Sequence, residues 1–332
     1  MSKNYIILSV SSNDLGKRID VFLSLKIENF SRSKLQKLIE TKNVKFNNDV
    51  VLDRSLKLNK VGKIEIIIPR PREIKLKPQN LELKIVFEDK YLILVDKPPG
   101  MVVHPGAGIN DYTLVNGLLF HCKDNLSGIN GELRPGIVHR LDKMTSGIIL
   151  VAKDDFTHNN LSRQFKERKI NKNYKAIVWN KLPKLVGKIS TNIERSKKNR
   201  KNMSVTDDTR GKEAVTCYEL LDQFQIKNTI ISYVNCQILT GRTHQIRVHM
   251  EYLGNSIIGD SKYKKNSPKN QFQQEITDYI SQKFSTKNRH ALHAASLSFI
   301  HPHTRKTLIF ESNLPDDMLY LLKLLKKTKK NS

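Results

Sequence analysis

The spacing of apolar residues over the first part of the chain predicts a small unit of helices and strands. Residues 19–25 and 31–39 each repeat apolar side chains at helical spacing. Residues 44–48 predict a hairpin, because the Asn-Asn pair within them tolerates the left-handed backbone of a tight turn. The isoleucine-rich run at 64–68 predicts a strand that completes the unit.

From about residue 80 the pattern becomes rich in strands. Apolar runs predict strands at 83–87, 91–95, 148–152, 174–179, 214–221, 229–239, 295–300 and 307–310, and helical periodicity predicts helices at 155–168, 243–253 and 316–326. Many strands in succession with few helices between them favour an α+β fold over a doubly wound parallel sheet.

Shifts in composition divide the chain into four segments. The first unit spans residues 11–68, and a proline-rich stretch at 69–79 predicts a linker. The strand-rich body spans 80–318. The lysine-rich segment 319–332 predicts a basic C-terminal tail, disordered after Leu325.

Charge and cysteine content narrow the class of protein. The chain has 58 Lys and Arg against 32 Asp and Glu, which gives a formal net charge of +26. This excess favours a polyanionic partner, although an AT-biased genome alone also enriches lysine. The apolar runs are too short to span a bilayer, so we expect a cytoplasmic protein without a membrane partner. The three scattered cysteines fit neither a disulfide framework nor a zinc site, so we expect no metal.

Two basic stretches are candidate polyanion-binding surfaces. One is the face of the second predicted helix opposite its apolar residues. The other is the segment 195–212, which is basic, poor in apolar residues and typical of a loop or hairpin arm. An ordinary solvated surface is the alternative for each. The candidate side chains are Arg32, Lys34, Lys37, Arg200 and Lys201.

The segment GIVHRLDKMTSGIILVAK, residues 136–153, carries the most specific chemistry. It places Asp142 between two basic residues, directly before a strand that we expect to be buried. Gly147 in this strand has no side chain, so another backbone can approach it closely. A carboxylate flanked by cations stays ionised, which suits a nucleophile better than a general acid. A structural ion pair is the alternative. The chain lacks the GxGxxG and Asp-Phe-Gly motifs of protein kinases, which argues against phosphoryl transfer.

Five segments resemble, in order and spacing, the motifs of the RluA family of pseudouridine synthases. They are VDKPPGMVVHPGAG, HRLDK with the SG that follows it, NKNYKAIVW, LTGRTHQIRVHM and HALHAASLSFIHP. The first unit, with SRSKLQKLI, resembles the S4-like RNA-binding domain. The resemblance implies a catalytic domain built on a long mixed, mainly antiparallel sheet, and an isomerisation of RNA uridines that needs no cofactor.

The resemblance also assigns roles to individual residues. The family's nucleophile falls on Asp142, its active-site tyrosine on Tyr174, and the arginine that pairs with the nucleophile on Arg247. Arg140 resembles the residue that fills the gap left by an extruded nucleotide. Two alternatives remain open, because Tyr174 could be a core aromatic and Arg247 could pair with Glu251 one helical turn away.

The expected partner is large-subunit ribosomal RNA or the assembling large subunit. We assign Arg242 and His244, in the same motif as Arg247, to RNA binding. The resemblance is strongest to family members that act on large-subunit RNA, which implies the helix 69 hairpin at the subunit interface as target. We expect a monomer. The alternatives are a non-catalytic ribosome assembly factor and a synthase acting on transfer RNA or another ribosomal site.

Overall fold

The computed structural model describes residues 4–27, 30, 32–68, 76–106, 108–123, 126–128, 134–196, 199, 202–207, 209–265 and 273–330. The chain divides into two units, Met1–Glu73 and Ile74–Ser332. Residues 76–79 of the predicted linker have no regular secondary structure, and residues 69–75 lie outside the described set.

The first unit is a four-stranded antiparallel sheet with two helices. Its elements are β1 (Asn4–Val10), α1 (Ile19–Lys26), α2 (Arg32–Glu40), β2 (Val44–Phe46), β3 (Asp49–Val50) and β4 (Gly62–Ile68). The strand order is β1-β4-β2-β3. Asn47 and Asn48 have φ values of 50° and 72°, as the predicted hairpin turn requires. Phe22, Leu35 and Ile64 belong to the core of this unit.

The first unit begins earlier than the sequence pattern indicated. Strand β1 precedes the predicted start at residue 11 and pairs along its whole length with β4. Its side chains alternate, with Tyr5 and Ile7 largely exposed. β1 is an edge strand with one solvated face, so its apolar run of residues 5–8 contributes side chains to the core on one face only.

The second unit is built on one ten-stranded sheet. Its elements are β5 (Ile85–Glu88), β6 (Leu92–Lys97), α3 (Leu114–Cys122), β7 (Ser146–Ala152), α4 (Asp155–Lys166), β8 (Asn171–Trp179), β9 (Val186–Arg195), β10 (Met203–Thr206), β11 (Lys212–Ile226), β12 (Thr229–Ile238), α5 (Gln245–Tyr252), α6 (Gln274–Ile280), β13 (Leu292–Ile300), β14 (Thr307–Glu311) and α7 (Asp316–Lys330). The strand order is β10-β9-β11-β12-β8-β13-β7-β6-β5, with β14 paired to β13.

The pairing of these strands confirms a mixed, mainly antiparallel sheet. Within the described residues only β13 and β7 run parallel, whereas the other paired strands are antiparallel. Strand β7 is buried along its whole length, which explains its continuous apolar sequence. Gly147, near the start of β7, lets this strand pass close to β13. A Cβ at that position would collide with the backbone of Ala294 on β13.

The C-terminal segment contains the helix predicted over 316–326, which extends into the segment predicted as a basic tail. Helix α7 continues to Lys330, and Met318, Leu321, Leu322 and Leu325 are buried in the main core. Apolar residues at helical spacing therefore outweigh the lysines between them, which lie on the solvated side of the helix. No helix within the described part of the chain has the length and apolar character needed to cross a membrane.

Candidate active site

One pocket collects six of the residues singled out in the sequence. It is a partly open cleft with about 580 Å³ of space, including open solvent at its mouth. Its walls come from the loop before β7, from β8, and from the loop between β12 and α5. The six residues are Asp142, Tyr174, Arg247, Arg140, Arg242 and His244.

The Asp142 carboxylate lies at this pocket and is paired with Arg247. Its side chain is 19% exposed, and Oδ2 accepts a hydrogen bond of 2.9 Å from Nη1 of Arg247. Arg247 itself is 6% exposed. The predicted pairing of these two residues, 105 positions apart in the chain, is therefore present. Such a charge-assisted bond fixes the orientation of the carboxylate.

Arg247 is held from behind by Asp260, a residue that the sequence analysis missed. Nε and Nη2 of Arg247 donate to the two Asp260 oxygens at 2.6 and 2.9 Å, so the guanidinium is bound as a fork. The Asp260 side chain is fully buried and also accepts the backbone N–H groups of Lys262 and Tyr263. Although burial alone would lower the pKa of Arg247, the hydrogen bonds and charge of Asp260 raise it above its ordinary value.

The loop that leads into α5 is locked to β11 by one side-chain amide. Oε1 of Gln245 accepts hydrogen bonds from the Thr240 hydroxyl and the Arg242 N–H, at 2.7 and 3.0 Å. Nε2 of Gln245 donates to the carbonyl of Val215 and the hydroxyl of Thr216, both at 3.0 Å. This anchoring fixes the start of the helix and therefore the position of its arginine.

Tyr174 lies in the middle of the sheet, between two neighbouring strands. It is 8% exposed and pairs with Cys236 on β12 and Ala294 on β13. Burial, and to a smaller degree the nearby Asp142 carboxylate, raises the pKa of Tyr174 well above its ordinary range. The hydroxyl therefore remains protonated at neutral pH, where it can donate a hydrogen bond.

Lys97, in the VDKPPG segment, contacts the loop that carries Asp142 from the interior of the protein. This side chain is fully buried, and Nζ donates to the carbonyls of Pro98, Met101 and Lys143 at 2.8, 3.0 and 3.2 Å. Burial, together with the charge of Arg289, lowers the pKa of Lys97 to about 7. The Lys143 carbonyl that it contacts belongs to the residue directly after Asp142.

Arg289 supports the next residue of the same loop. Its guanidinium is 2% exposed and donates to the Met144 carbonyl at 2.7 Å and to the Ser146 hydroxyl at 3.1 Å. Its Nε donates to Asp317 on α7 at 2.9 Å. The C-terminal helix α7 therefore takes part in positioning the loop. The order of basic and polar residues in the sequence gave no signal for this contact.

His139 contacts β7 and the aromatic side of α4 and has a structural position. Its Nε2 accepts the Leu150 N–H at 2.9 Å, and its ring lies 4.8 Å from that of Phe165. Burial lowers the pKa of His139 to about 3, so the ring is neutral and its acceptor nitrogen is engaged with β7.

The other predicted RNA-binding residues belong to the first unit or lie outside the described set. Arg32, Lys34 and Lys37 belong to α2 in the first unit, and their side chains are not among those described. Arg200 and Lys201 lie outside the described residues. The flanking strands β9 and β10 form an antiparallel pair, in agreement with the predicted hairpin arm.

One group of side chains has ligand atoms close enough for a metal ion. Among the described residues, atoms of Glu88, His121 and Cys122 lie within 4.8 Å of one another. Glu88 already accepts hydrogen bonds from His121 and Lys153, at 2.7 and 2.8 Å. The group lies outside the pocket, and the absence of a metal from this protein stays a prediction.

Comparisons with known proteins define the class to which this pocket belongs. The family described as RNA pseudouridylate synthase matches residues 91–252, which include Asp142, Tyr174 and Arg247. A curated pseudouridine synthase is 41% identical over 98% of this chain and 98% of its own. The chain therefore belongs to the RNA pseudouridylate synthase family, and it is an RNA-modifying isomerase.

Several relatives match over nearly their whole length. The protein at 41% identity is the ribosomal large subunit pseudouridine synthase D of Zymomonas mobilis. The protein of that name from Buchnera aphidicola is 38% identical, over 94% of this chain and 95% of its own. The uncharacterized RNA pseudouridine synthase YlyB of Bacillus subtilis is 40% identical, over 98% and 99%.

Solved structures agree on the fold. Human RNA pseudouridylate synthase domain containing 4 superposes with a TM-score of 0.54 at 24% identity, covering 73% of this chain and 92% of its own. Human RNA pseudouridylate synthase domain containing 1 gives a TM-score of 0.53 at 22% identity, covering 78% and 98%. At these identities the likeness concerns the fold alone.

Proposed function

We propose that this enzyme isomerises uridines of large-subunit ribosomal RNA to pseudouridine, with Asp142 as the nucleophile. The observation that carries the proposal is the pairing of Asp142 with Arg247 in a pocket that also contains Tyr174. A nucleophilic carboxylate needs a fixed orientation and a partner for its charge, and the Asp260–Arg247 fork supplies both.

The chemistry requires only groups that this pocket contains. The reaction breaks the N1–C1′ bond of uridine, forms a C5–C1′ bond and moves one proton from C5 to N1, so no atoms are gained or lost. Asp142 attacks the ribose or the base, or stabilises the developing cationic sugar. The ring of Tyr174 stacks on the uracil, and its protonated hydroxyl donates a hydrogen bond.

Arg140 is well placed to hold the RNA around the extruded nucleotide. Its side chain borders the catalytic pocket and also a second pocket lined by His104, Arg134, Ile137, Val138 and His139. It therefore lies between two cavities, where a planar guanidinium can replace the stacking lost by an extruded base. Arg242 offers a further cation at the same pocket and contacts the Glu213 carbonyl through Nε at 2.8 Å.

The proposed substrate follows from the relatives and from the charge of the chain. Two of the relatives above are named as large-subunit synthases and match this chain almost from end to end. A net charge of +26 favours an RNA partner through counterion release. Within large-subunit RNA we propose the helix 69 hairpin, presented by free RNA or by an assembling particle, as the target.

The test is carbodiimide mapping of pseudouridine in unmodified large-subunit RNA treated with wild type or with Asp142→Asn. Asp111→Asn is the matched control, because it removes an exposed carboxylate that does not line the pocket. We expect stops in the helix 69 hairpin with wild type and Asp111→Asn, and none above background with Asp142→Asn.

Other outcomes would contradict separate parts of the proposal. Stops confined to transfer RNA, or to another ribosomal hairpin, would move the substrate but keep the chemistry. If wild type and Asp142→Asn bind the RNA equally well and neither modifies any RNA, the chain acts as an assembly factor. Equal modification by both proteins would exclude Asp142 as the nucleophile.

A further inference from the structure

The hydroxyl of Tyr263 is held in a defined position beside the catalytic pocket. Tyr263 is 2% exposed, and its hydroxyl accepts the N–H of Met203 on β10 at 2.8 Å. The same hydroxyl lies 2.8 Å from Nδ1 of His244, the residue just before α5. Because Met203 occupies one lone pair, the hydroxyl proton is available for donation to Nδ1.

The other ring nitrogen of His244 selects the same tautomer. Its Nε2 lies 3.8 Å from Oδ2 of Asp142, too far for a hydrogen bond but close enough for a strong electrostatic preference. An N–H facing a carboxylate is attracted, whereas a ring lone pair facing it is repelled. Tyr263 and Asp142 therefore both favour a ring that carries its proton on Nε2.

His244 is held neutral and in an unusual backbone conformation. Burial lowers the pKa of His244 to about 4, with the charge of Asp142 opposing and that of Arg247 adding to this shift. Its φ of 56° lies in the left-handed region, which only a few per cent of non-glycine residues adopt. The result is a neutral N–H donor that lines the pocket and forms no hydrogen bond to the nucleophile.

We infer that His244 donates a hydrogen bond from Nε2 to a carbonyl oxygen of the target uracil, and that Tyr263 fixes the tautomer that makes this possible. The inference rests on the proposed function. Formation of the C5–C1′ bond requires the detached uracil to turn about the axis through N3 and C6. This turn exchanges N1 with C5, and it also exchanges the two carbonyl groups.

A single stationary donor fits this rotation. The carbonyl oxygen that leaves the donor is replaced by the other carbonyl oxygen, so His244 can bind the ring both before and after the turn. Neutrality favours the release between the two states, because a charged donor would hold either oxygen more tightly. The inference thus assigns His244 to the base, while Arg140 replaces the lost stacking and Arg242 offers a cation at the same pocket.

Tyr263 acts as a positioning residue through several contacts. Its ring lies 5.0 Å from the guanidinium carbon of Arg247, and its N–H donates to Asp260 at 3.0 Å. Tyr263→Phe keeps the ring beneath Arg247 and removes only the hydroxyl. This substitution therefore separates the tautomer of His244 from the packing around Arg247.

The first experiment changes the substrate. Single-turnover rates are measured on hairpin RNA carrying uridine, 2-thiouridine or 4-thiouridine at the target, with wild type and with His244→Ala. Sulfur is a weaker acceptor than oxygen. We expect at least one thio substitution to slow the wild type about tenfold, the factor carried by one ordinary hydrogen bond, and to slow His244→Ala by less than about twofold.

The second experiment changes Tyr263 and uses Tyr252→Phe as the matched control. Tyr252 is on α5 but is 61% exposed, so its hydroxyl is dispensable. We expect Tyr263→Phe to turn over uridine RNA roughly threefold to tenfold more slowly than the control, with unchanged RNA affinity and a smaller thio effect.

Two results would overturn the inference. One is an equal thio effect in wild type and His244→Ala. The other is a Tyr263→Phe enzyme that matches Tyr252→Phe in both rate and thio effect. Failure of the proposed function is visible separately, because wild type would then form no pseudouridine from the uridine RNA.

Discussion

The loop that carries Asp142, directly before β7, is contacted by one arginine from the pocket and by another from the buried side. The two arginines have different roles. On the pocket side, Arg247 donates to the side chain of Asp142. On the buried side, Arg289 donates to the backbone carbonyl of Met144. Each arginine is anchored by a carboxylate from another element, which for Arg247 is Asp260.

Arg247 therefore orients a charged side chain, whereas Arg289 fixes the position of the loop backbone. Arg247 lines the pocket, so its hydrogen bond can respond to the charge that develops during the reaction. Arg289 does not line the pocket and ends on Asp317 of α7, so it fixes where the loop lies. Changes on the pocket side should therefore reduce the rate most, and changes on the buried side should reduce stability as well.

Arg247→Lys should have the largest effect on activity. Lysine keeps the positive charge but cannot bind Asp260 as a fork and reach Asp142 at the same time. We expect the single-turnover rate to fall about a hundredfold, because a hydrogen bond to a charged group contributes about 1.5–3 kcal/mol. The measurement is pseudouridine formation at saturating enzyme.

The control for this change is Arg163→Lys, on the exposed side of α4. It should match the wild type in rate and in melting temperature. An Arg247→Lys enzyme within about threefold of wild type would show that the Asp142 contact does not control the chemistry, since that factor is well below the expected hydrogen-bond contribution.

Arg289→Lys should have a smaller effect on the rate and a clear effect on folding. Arg289 donates to five residues, whereas lysine has only three donor hydrogens on one nitrogen. It cannot reproduce the contacts to Met144, His290, Leu292, Ser146 and Asp317 together. Each buried acceptor left without a donor costs about 1–3 kcal/mol, so we expect the unfolding free energy to fall by about 2–4 kcal/mol. The rate should fall about tenfold through displacement of the loop. Denaturant unfolding and single-turnover assays measure the two effects, and a full loss of rate without loss of stability would erase the contrast with Arg247.

Asp317→Asn tests whether α7 contributes through Arg289. The asparagine keeps the shape of the side chain but weakens the bond that Nε of Arg289 makes at 2.9 Å. We expect a rate about threefold lower with unchanged RNA affinity, because the loop keeps its other contacts. Asp316→Asn, at the exposed neighbouring position, is the control and should match the wild type. Equal rates for the two variants would remove α7 from the account of the site.

The sequence predicted the residues that line the pocket better than the residues that hold them in position. Asp142, Tyr174 and Arg247 lie in motifs whose local pattern is specific, and the structure brings them together. Asp260 was missed because GDSKY reads as an ordinary polar turn after α5. Its role depends on a fork across 13 residues, which no periodicity records.

The limits of the fold prediction have a similar origin. The continuous apolar run of β7 identified a buried strand, but β9 and β10 have half-exposed faces and weak alternation. In α7 the helical spacing of Leu321 and Leu325 predicted the helix, but the lysines after Leu325 suggested disorder where the helix continues to Lys330. Burial is decided by contacts far apart in the chain, which single-sequence patterns record only indirectly.

Substitution of Lys97 should have the smallest effect, which is on the pH dependence of the unfolding free energy. This dependence distinguishes the buried side of the loop from the pocket side. Its pKa is lowered to about 7 in the folded protein, chiefly by burial, from 10.5. Between these values the unfolded chain binds a proton that the folded protein does not. The folded state therefore gains stability as pH rises through this window, by about 2 kcal/mol between pH 7 and pH 9.

Lys97→Met should remove this part of the pH dependence. The thioether side chain fills the buried site without a titrating group, so the unfolding free energy of the variant should rise less than that of wild type between pH 7 and pH 9. Denaturant unfolding at several pH values measures the difference. Lys172, which is half-buried and has its pKa lowered to about 8 by desolvation, contributes equally to both proteins. Parallel pH profiles for wild type and Lys97→Met would mean that Lys97 stays charged beneath the loop. It would then act like Arg289, as a permanent cation on the loop carbonyls, and the buried side would hold two such charges instead of one.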